Sequence, residues 1–130
     1  MSDDESMFGE LIHSYSRAQA MEDGVLVDCS PMAREAGIRV PVAMTCGAWG
    51  LCVALSAGAK RAGNDESGRL WDVLWMLSLA MRRAGDASEV HFGVLCVTER
   101  TTPSRVRLKA LCGPGDDAEP VITVLLPDED

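Results

Sequence analysis

The sequence predicts an α+β fold: a central buried helix packed on a C-terminal three-stranded antiparallel meander, with shorter N-terminal helices and one or two short extra strands. Three observations predict it. Residues 68–85, GRLWDVLWMLSLAMRRAG, carry apolar side chains on nearly every side of a helix, the pattern of an element that others cover. Residues 89–97, 105–111 and 121–126 read as strands with short connections, which makes an antiparallel meander. The first half of the chain repeats helix start and stop signals at short intervals.

In chain order, Phe8, Leu11, Ile12 and Tyr15 follow the i, i+3, i+4, i+7 spacing of an amphipathic helix. Ser16 to Gln19 reads as a capping box that starts a helix over 17–23, with Gln19 reaching back and Gly24 as a left-handed C-cap. Val25, Leu26 and Val27 form a short strand, and Ser30-Pro31 starts a helix that ends at Gly37. Residues 38–43 are extended; Pro41 lacks an N–H, so they belong at a sheet edge or outside a sheet. Thr45 caps a helix over 46–55, and 56–67 is a small, polar loop. Asp72 sits in the first turn of the central helix and Arg82 and Arg83 in its last, each favourable to the helix dipole. In the strand 105–111, Val106, Leu108 and Ala110 face the helix and Arg105, Arg107 and Lys109 face water. Residues 112–120 form a loop.

The chain has 130 residues, enough for one domain over 1–130 that buries roughly two-thirds of its unfolded surface without a disulfide or metal staple. The apolar share of 47% and charged share of 25% are those of a globular protein. The net charge of −8 opposes direct nucleic-acid binding, which depends on Lys and Arg against phosphates, and fits either solubility or a basic partner. The start, MSDDESMFGE, lacks a secretory leader, and the helix over 68–85 is too interrupted by charge to span a membrane, so a soluble cytoplasmic protein is expected. The acidic ends, 1–6 and 127–130, read as flexible. Cys29, Cys46, Cys52, Cys96 and Cys112 are odd in number and lack C-x-x-C spacing. They read as small buried hydrophobes. His13 and His91 do not cluster with them, so no zinc site, and no cofactor of any kind, is expected.

Two places have the chemistry of a binding site. Arg105, Arg107 and Lys109, with Arg100, form one basic stripe on an acidic protein, suited to an acidic partner or a phosphate backbone; charged strand residues equally serve to block edge aggregation. Asp116, Asp117 and Glu119 gather carboxylate oxygens after Gly113 and Gly115. A hard cation uses such oxygens, but the spacing is not that of an EF-hand, and a solvated hairpin turn explains it as well. His13, Tyr15 and Glu119 offer a His–Tyr–Glu set of the kind used by some ADP-ribosyl-transferring enzymes. Residues 18–26 are loosely similar to the helix-then-glycine start of such folds. No G-x-S-x-G elbow and no base-flanked cysteine is present, so no residue is assigned as catalytic.

Several stretches resemble an uncharacterised bacterial domain-of-unknown-function family, number six-five-seven-three: SRAQA at 16–20, DGVLVD at 23–28, AREAG at 33–37, PVA at 41–43, GRLWDVLWM at 68–76 and CGPGDD at 112–117. The resemblance runs from about Leu11 to Pro127. It implies a small protein of plasmids and other mobile elements, with no reaction attached and therefore no catalytic residue to carry over. It also implies an accessory role such as blocking a host defence system.

Three readings of function follow. The chain acts by occupying a protein partner's surface, as an inhibitor of a nuclease-based, CRISPR-like effector complex does. Or it is a small enzyme of the ADP-ribosyl-transferring kind. Or it is a structural accessory protein that forms homo-oligomers.

Overall fold

The computed structural model describes residues 15–98 and 101–129. The amphipathic pattern at Phe8, Leu11 and Ile12, together with His13 and Arg100, lies outside the described residues. The elements are α1 (Arg17–Glu22), β1 (Leu26–Asp28), α2 (Ser30–Glu35), β2 (Val42–Thr45), α3 (Cys46–Cys52), α4 (Ala57–Arg61), α5 (Glu66–Ala84), β3 (Glu89–Cys96), β4 (Ser104–Pro114) and β5 (Pro120–Leu125).

Helices and strands do combine as α+β, but the sheet corrects the expected three-stranded antiparallel meander. It has five strands in the order β1-β2-β5-β4-β3. The pairs β3–β4, β4–β5 and β1–β2 are antiparallel, and β2 runs parallel to β5, with Val42 opposite Ile122 and Met44 opposite Val124. β2 therefore lies inside the sheet, not at its edge. Pro41 is tolerated because it precedes the strand, where its carbonyl accepts from the Ile122 N–H at 2.9 Å.

Strand alternation gives the sheet two faces. On one, Val42, Met44, Phe92, Val94, Leu108, Ala110, Ile122 and Val124 meet Ala33 of α2, Ala48 and Cys52 of α3, and Val73, Leu74 and Leu77 of α5. Leu74 and Leu77 are fully buried, which stabilises the fold by about 1.5–3 kcal/mol each. On the other face α1 is docked by Arg17, whose guanidinium donates to Thr123 Oγ1 at 2.6 Å and to the Ile122 carbonyl at 2.7 Å.

α5 is central, but it is not covered all round. Its buried residues are Arg69, Val73, Leu74, Leu77 and Ser78, a single face. Trp71 and Trp75 remain 37% and 41% exposed and stack on each other one turn apart, with ring centroids 5.8 Å apart. α5 also starts before the expected residue. Asp65 is its N-cap, accepting from the Gly68 N–H at 2.6 Å, so Glu66 and not Asp72 carries the first-turn charge.

Other local expectations meet mixed outcomes. Ser16 caps α1 by accepting from the Gln19 N–H at 2.9 Å, whereas the Gln19 side chain donates forward to Asp23, not back. Gly24 takes φ +78°, the left-handed angle its place after α1 requires. The polar stretch 56–67 is not all loop: Ser56 accepts from the Ala59 N–H and starts α4. β4 and β5 run to Pro114 and from Pro120, leaving only 115–119 as the turn. Glu129 is held: its Oε1 accepts from Thr45 Oγ1 at 2.7 Å and from the Leu126 N–H at 2.8 Å.

Candidate functional site

The two site-like features of the sequence are pulled apart. Asp116 accepts from the N–H groups of Arg17, at 2.7 Å, and Ala18, at 3.1 Å. These bonds, with the nearby Arg17 charge, hold its carboxyl below the ordinary carboxylate range. Glu119 folds back over the turn toward Gly115, and its Oε2 accepts from the Asp117 N–H at 3.2 Å. The acidic turn thus ties α1 to the β4–β5 hairpin, and among the described residues no group of three or more His, Cys, Asp or Glu side chains is placed to hold a metal ion. The Tyr15 hydroxyl donates to Asp23 Oδ2 at 2.8 Å.

The basic stripe divides as well. Arg107 is exposed as expected, but Lys109 is buried, so it does not face water. Lys109 occupies an inner strand flanked by His91 of β3 and Leu125 of β5, where Arg105 and Arg107 lie beyond the end of β5. Arg105 leans sideways across the sheet. A Cβ built on Gly93 would stand 2.5 Å from Arg105 Nε, so the glycine is what lets the guanidinium cross β3.

That crossing leads to the open edge of the sheet. β3 pairs with β4 on one side and with no described strand on the other. The Cys112 N–H bonds to the Ser88 carbonyl, which fixes the parity of the antiparallel ladder. Val90, Phe92, Val94 and Cys96 therefore aim their backbone groups at β4. Glu89, His91, Gly93 and Leu95 aim their N–H and C=O groups outward. A free edge of this kind is a template for another strand.

Two concavities line the edge on its α5 side. One, of about 420 Å³, is bounded by Asp72, Trp75, Met76, Gly93, Leu95 and Arg105. The next, of about 410 Å³, shares Met76 and Arg105 and continues along Leu79, Arg83, Glu89 and His91. Leu95 is 68% exposed, the largest value among the exposed large hydrophobics of the described residues. His91 Nε2 lies 2.7 Å from Glu89 Oε2 at the far end. The sequence held a signal for this site: Leu95 and Gly93 occupy outward positions of an otherwise alternating strand, and Trp71, Trp75 and Met76 exceed what one buried helix face accommodates.

A second polar centre lies at the end of β3. Arg69, only 6% exposed, donates from Nε to the Val53 carbonyl at 3.0 Å, from Nη1 to the Val97 carbonyl at 2.6 Å and Asn64 Oδ1 at 3.1 Å, and from Nη2 to the Leu51 carbonyl at 3.2 Å. The Leu51 and Val53 carbonyls close the C-terminus of α3, whose dipole is negative there and suits a cation. Of the cysteines, Cys29, Cys52 and Cys96 are buried, Cys112 is half-buried and Cys46 is exposed, which corrects the expectation that all five are buried hydrophobes. Cys46 is exposed because it opens α3, directly after the Thr45 cap.

Among the described residues no helix is long and apolar enough to cross a membrane. Neither a curated protein nor a solved structure matches the chain. One family model does, over residues 6–130, and the chain belongs to that family, the family of unknown function DUF6573.

Proposed function

We propose that this protein works by binding another protein, receiving an extended segment of its partner on the free edge of β3 and against the exposed side of α5. The observation that carries this is the coincidence of four outward-facing backbone positions, Glu89, His91, Gly93 and Leu95, with an aromatic and thioether face formed by Trp71, Trp75 and Met76. Main-chain hydrogen bonds supply affinity in such strand addition, and side-chain recesses supply specificity. Tryptophans are also the residues that most often carry binding energy at interfaces.

The occupant is a basic protein, selected by the charge of the whole molecule and not by the edge itself, whose lining is mixed, Asp72 and Glu89 beside Arg83 and Arg105. With a net charge of −8, two copies of this chain repel, whereas a cationic partner is drawn in and correctly oriented. The finer reading is an accessory protein of a mobile element that obstructs a host defence complex, since a nucleic-acid-binding effector exposes a basic groove of the required sign. An odd number of cysteines, none in C-x-x-C spacing, fits a reducing cytoplasm.

The test is a titration followed by tryptophan fluorescence. Extended synthetic peptides with lysine-rich and glutamate-rich flanks, and purified CRISPR-type effector complexes, are added to the wild type and to a His91→Pro, Trp75→Ala double variant. Saturable binding of the basic probes, lost in the variant while its circular dichroism is unchanged, is the expected result. Equal binding by both proteins, or no binding of any probe, overturns the reading. A dimer in light scattering that the double variant abolishes assigns the edge to a second copy and overturns the basic partner.

A further inference from the structure

We infer that Cys52 and Cys96 form an oxidisable thiol pair, a modification site that reacts with small hydroperoxides and closes to an intramolecular disulfide. The inference is independent of the docking edge. Cys52 closes α3 and Cys96 closes β3, 44 positions apart in sequence by the difference of their numbers, and both line one cavity of about 250 Å³. Arg69, Asn64, Asp72 and Pro103 also line it. The space admits a molecule as small as hydrogen peroxide.

The cation beside the thiols is what sets this pair apart. The Arg69 guanidinium is buried, its four hydrogen bonds go to neutral oxygens, and among the described residues it forms no ion pair. A thiolate at Cys96 supplies the missing counter-charge. The neighbouring Cys52 thiol, with Arg69, draws Cys96 below the ordinary thiol range against the effects of burial and of Asp72. The same neighbour, together with burial, drives Cys52 upward. One sulfur is thus prepared as nucleophile and the other as resolving thiol. Cys29 has no such help: burial and Asp28 push it up to about 12.

The chemistry balances as follows. The Cys96 thiolate attacks the outer oxygen of a hydroperoxide; an S–O bond forms, the O–O bond breaks, and the alkoxide leaves as an alcohol after taking a proton. The Cys52 sulfur then attacks the Cys96 sulfur, the S–O bond breaks, and hydroxide leaves with the Cys52 proton as water. Two thiols are oxidised by two electrons and one hydroperoxide is reduced. The product joins the C-terminus of α3 to the end of β3, the same two elements that Arg69 bridges.

The experiment treats the folded full chain with hydrogen peroxide, alkylates remaining thiols under denaturing conditions, and maps the peptides by mass spectrometry. The expected product is a Cys52–Cys96 linkage that dithiothreitol reverses, with Cys29 left free. In a Cys52→Ser variant, dimedone should trap a sulfenic acid at Cys96; in Cys96→Ser it should trap none at Cys52. Recovery of both thiols free while Cys46 is consumed overturns the inference, and so does a linkage that forms only after unfolding. The wild-type map decides even if a variant does not fold.

Discussion

Arg69 Nη1 donates to the Val97 carbonyl at 2.6 Å, and this bond fastens the first half of α5 to the end of β3. The same guanidinium satisfies the Val53 and Leu51 carbonyls, so one side chain closes three chain segments. Replacement by leucine leaves those buried acceptors unpaired and should cost about 3–5 kcal/mol. Lysine restores a charge but cannot reach all four acceptors and should cost at least about 1 kcal/mol. Urea unfolding of the two variants, with unchanged slopes, measures both.

The sidedness of α5 gives a paired prediction. Leu74 is fully buried, and Leu74→Ala should destabilise by about 2–5 kcal/mol. Trp75 is larger but 41% exposed; Trp75→Ala loses mainly its stacking on Trp71 and should cost about 1 kcal/mol. A helix covered on every side would reverse that order. Thermal and urea unfolding of the two variants distinguishes the cases.

Proline tests the parity of β3. The His91 N–H faces the open edge, so His91→Pro removes no ladder bond and should cost less than about 1 kcal/mol. The Phe92 N–H faces β4 opposite Leu108, and Phe92→Pro should cost about 3 kcal/mol or more. Amide hydrogen exchange should agree: the outward N–H groups of Glu89, His91, Gly93 and Leu95 exchange fast and those of Val90, Phe92 and Val94 slowly.

Asp116 makes stability pH-dependent. Its folded-state pKa lies below the unfolded one because it accepts from the Arg17 and Ala18 N–H groups. The contribution is therefore complete above the unfolded value, about 3.9, and disappears as pH falls through the lowered folded value. Melting temperatures measured from pH 6 to pH 2 should fall less steeply for Asp116→Asn than for the wild type, and the two curves should converge at the acid end.

Thiol accessibility should sort the cysteines in the native state. Cys46 is exposed and should react with a maleimide at once. Cys29 is buried, with its thiol pushed up to about 12, and should react only when the chain unfolds. Mass spectrometry of the partly labelled protein gives the order.

The sequence by itself determined what depends on near neighbours. Ser16 and Thr45 cap helices because a hydroxyl three residues before an N–H meets it without tertiary help. Gly24 ends α1 by its own freedom at positive φ, and β3 is a strand because its apolar residues alternate. Only the tertiary structure decided which strands lie together and which polar groups find partners. Val42 to Met44 is an apolar run buried on both faces, and no residue inside it names β5, about 80 positions onward, as its parallel neighbour. Separation in sequence also hid the partners of two charged residues: nothing near Asp116 announces that it will cap Arg17 and Ala18, nothing near Arg69 that it will close α3 and β3. Local hydrogen bonding and periodicity act within a few residues, whereas burial rewards any pairing that removes the same apolar area from water, so strand order was settled only when the whole core closed.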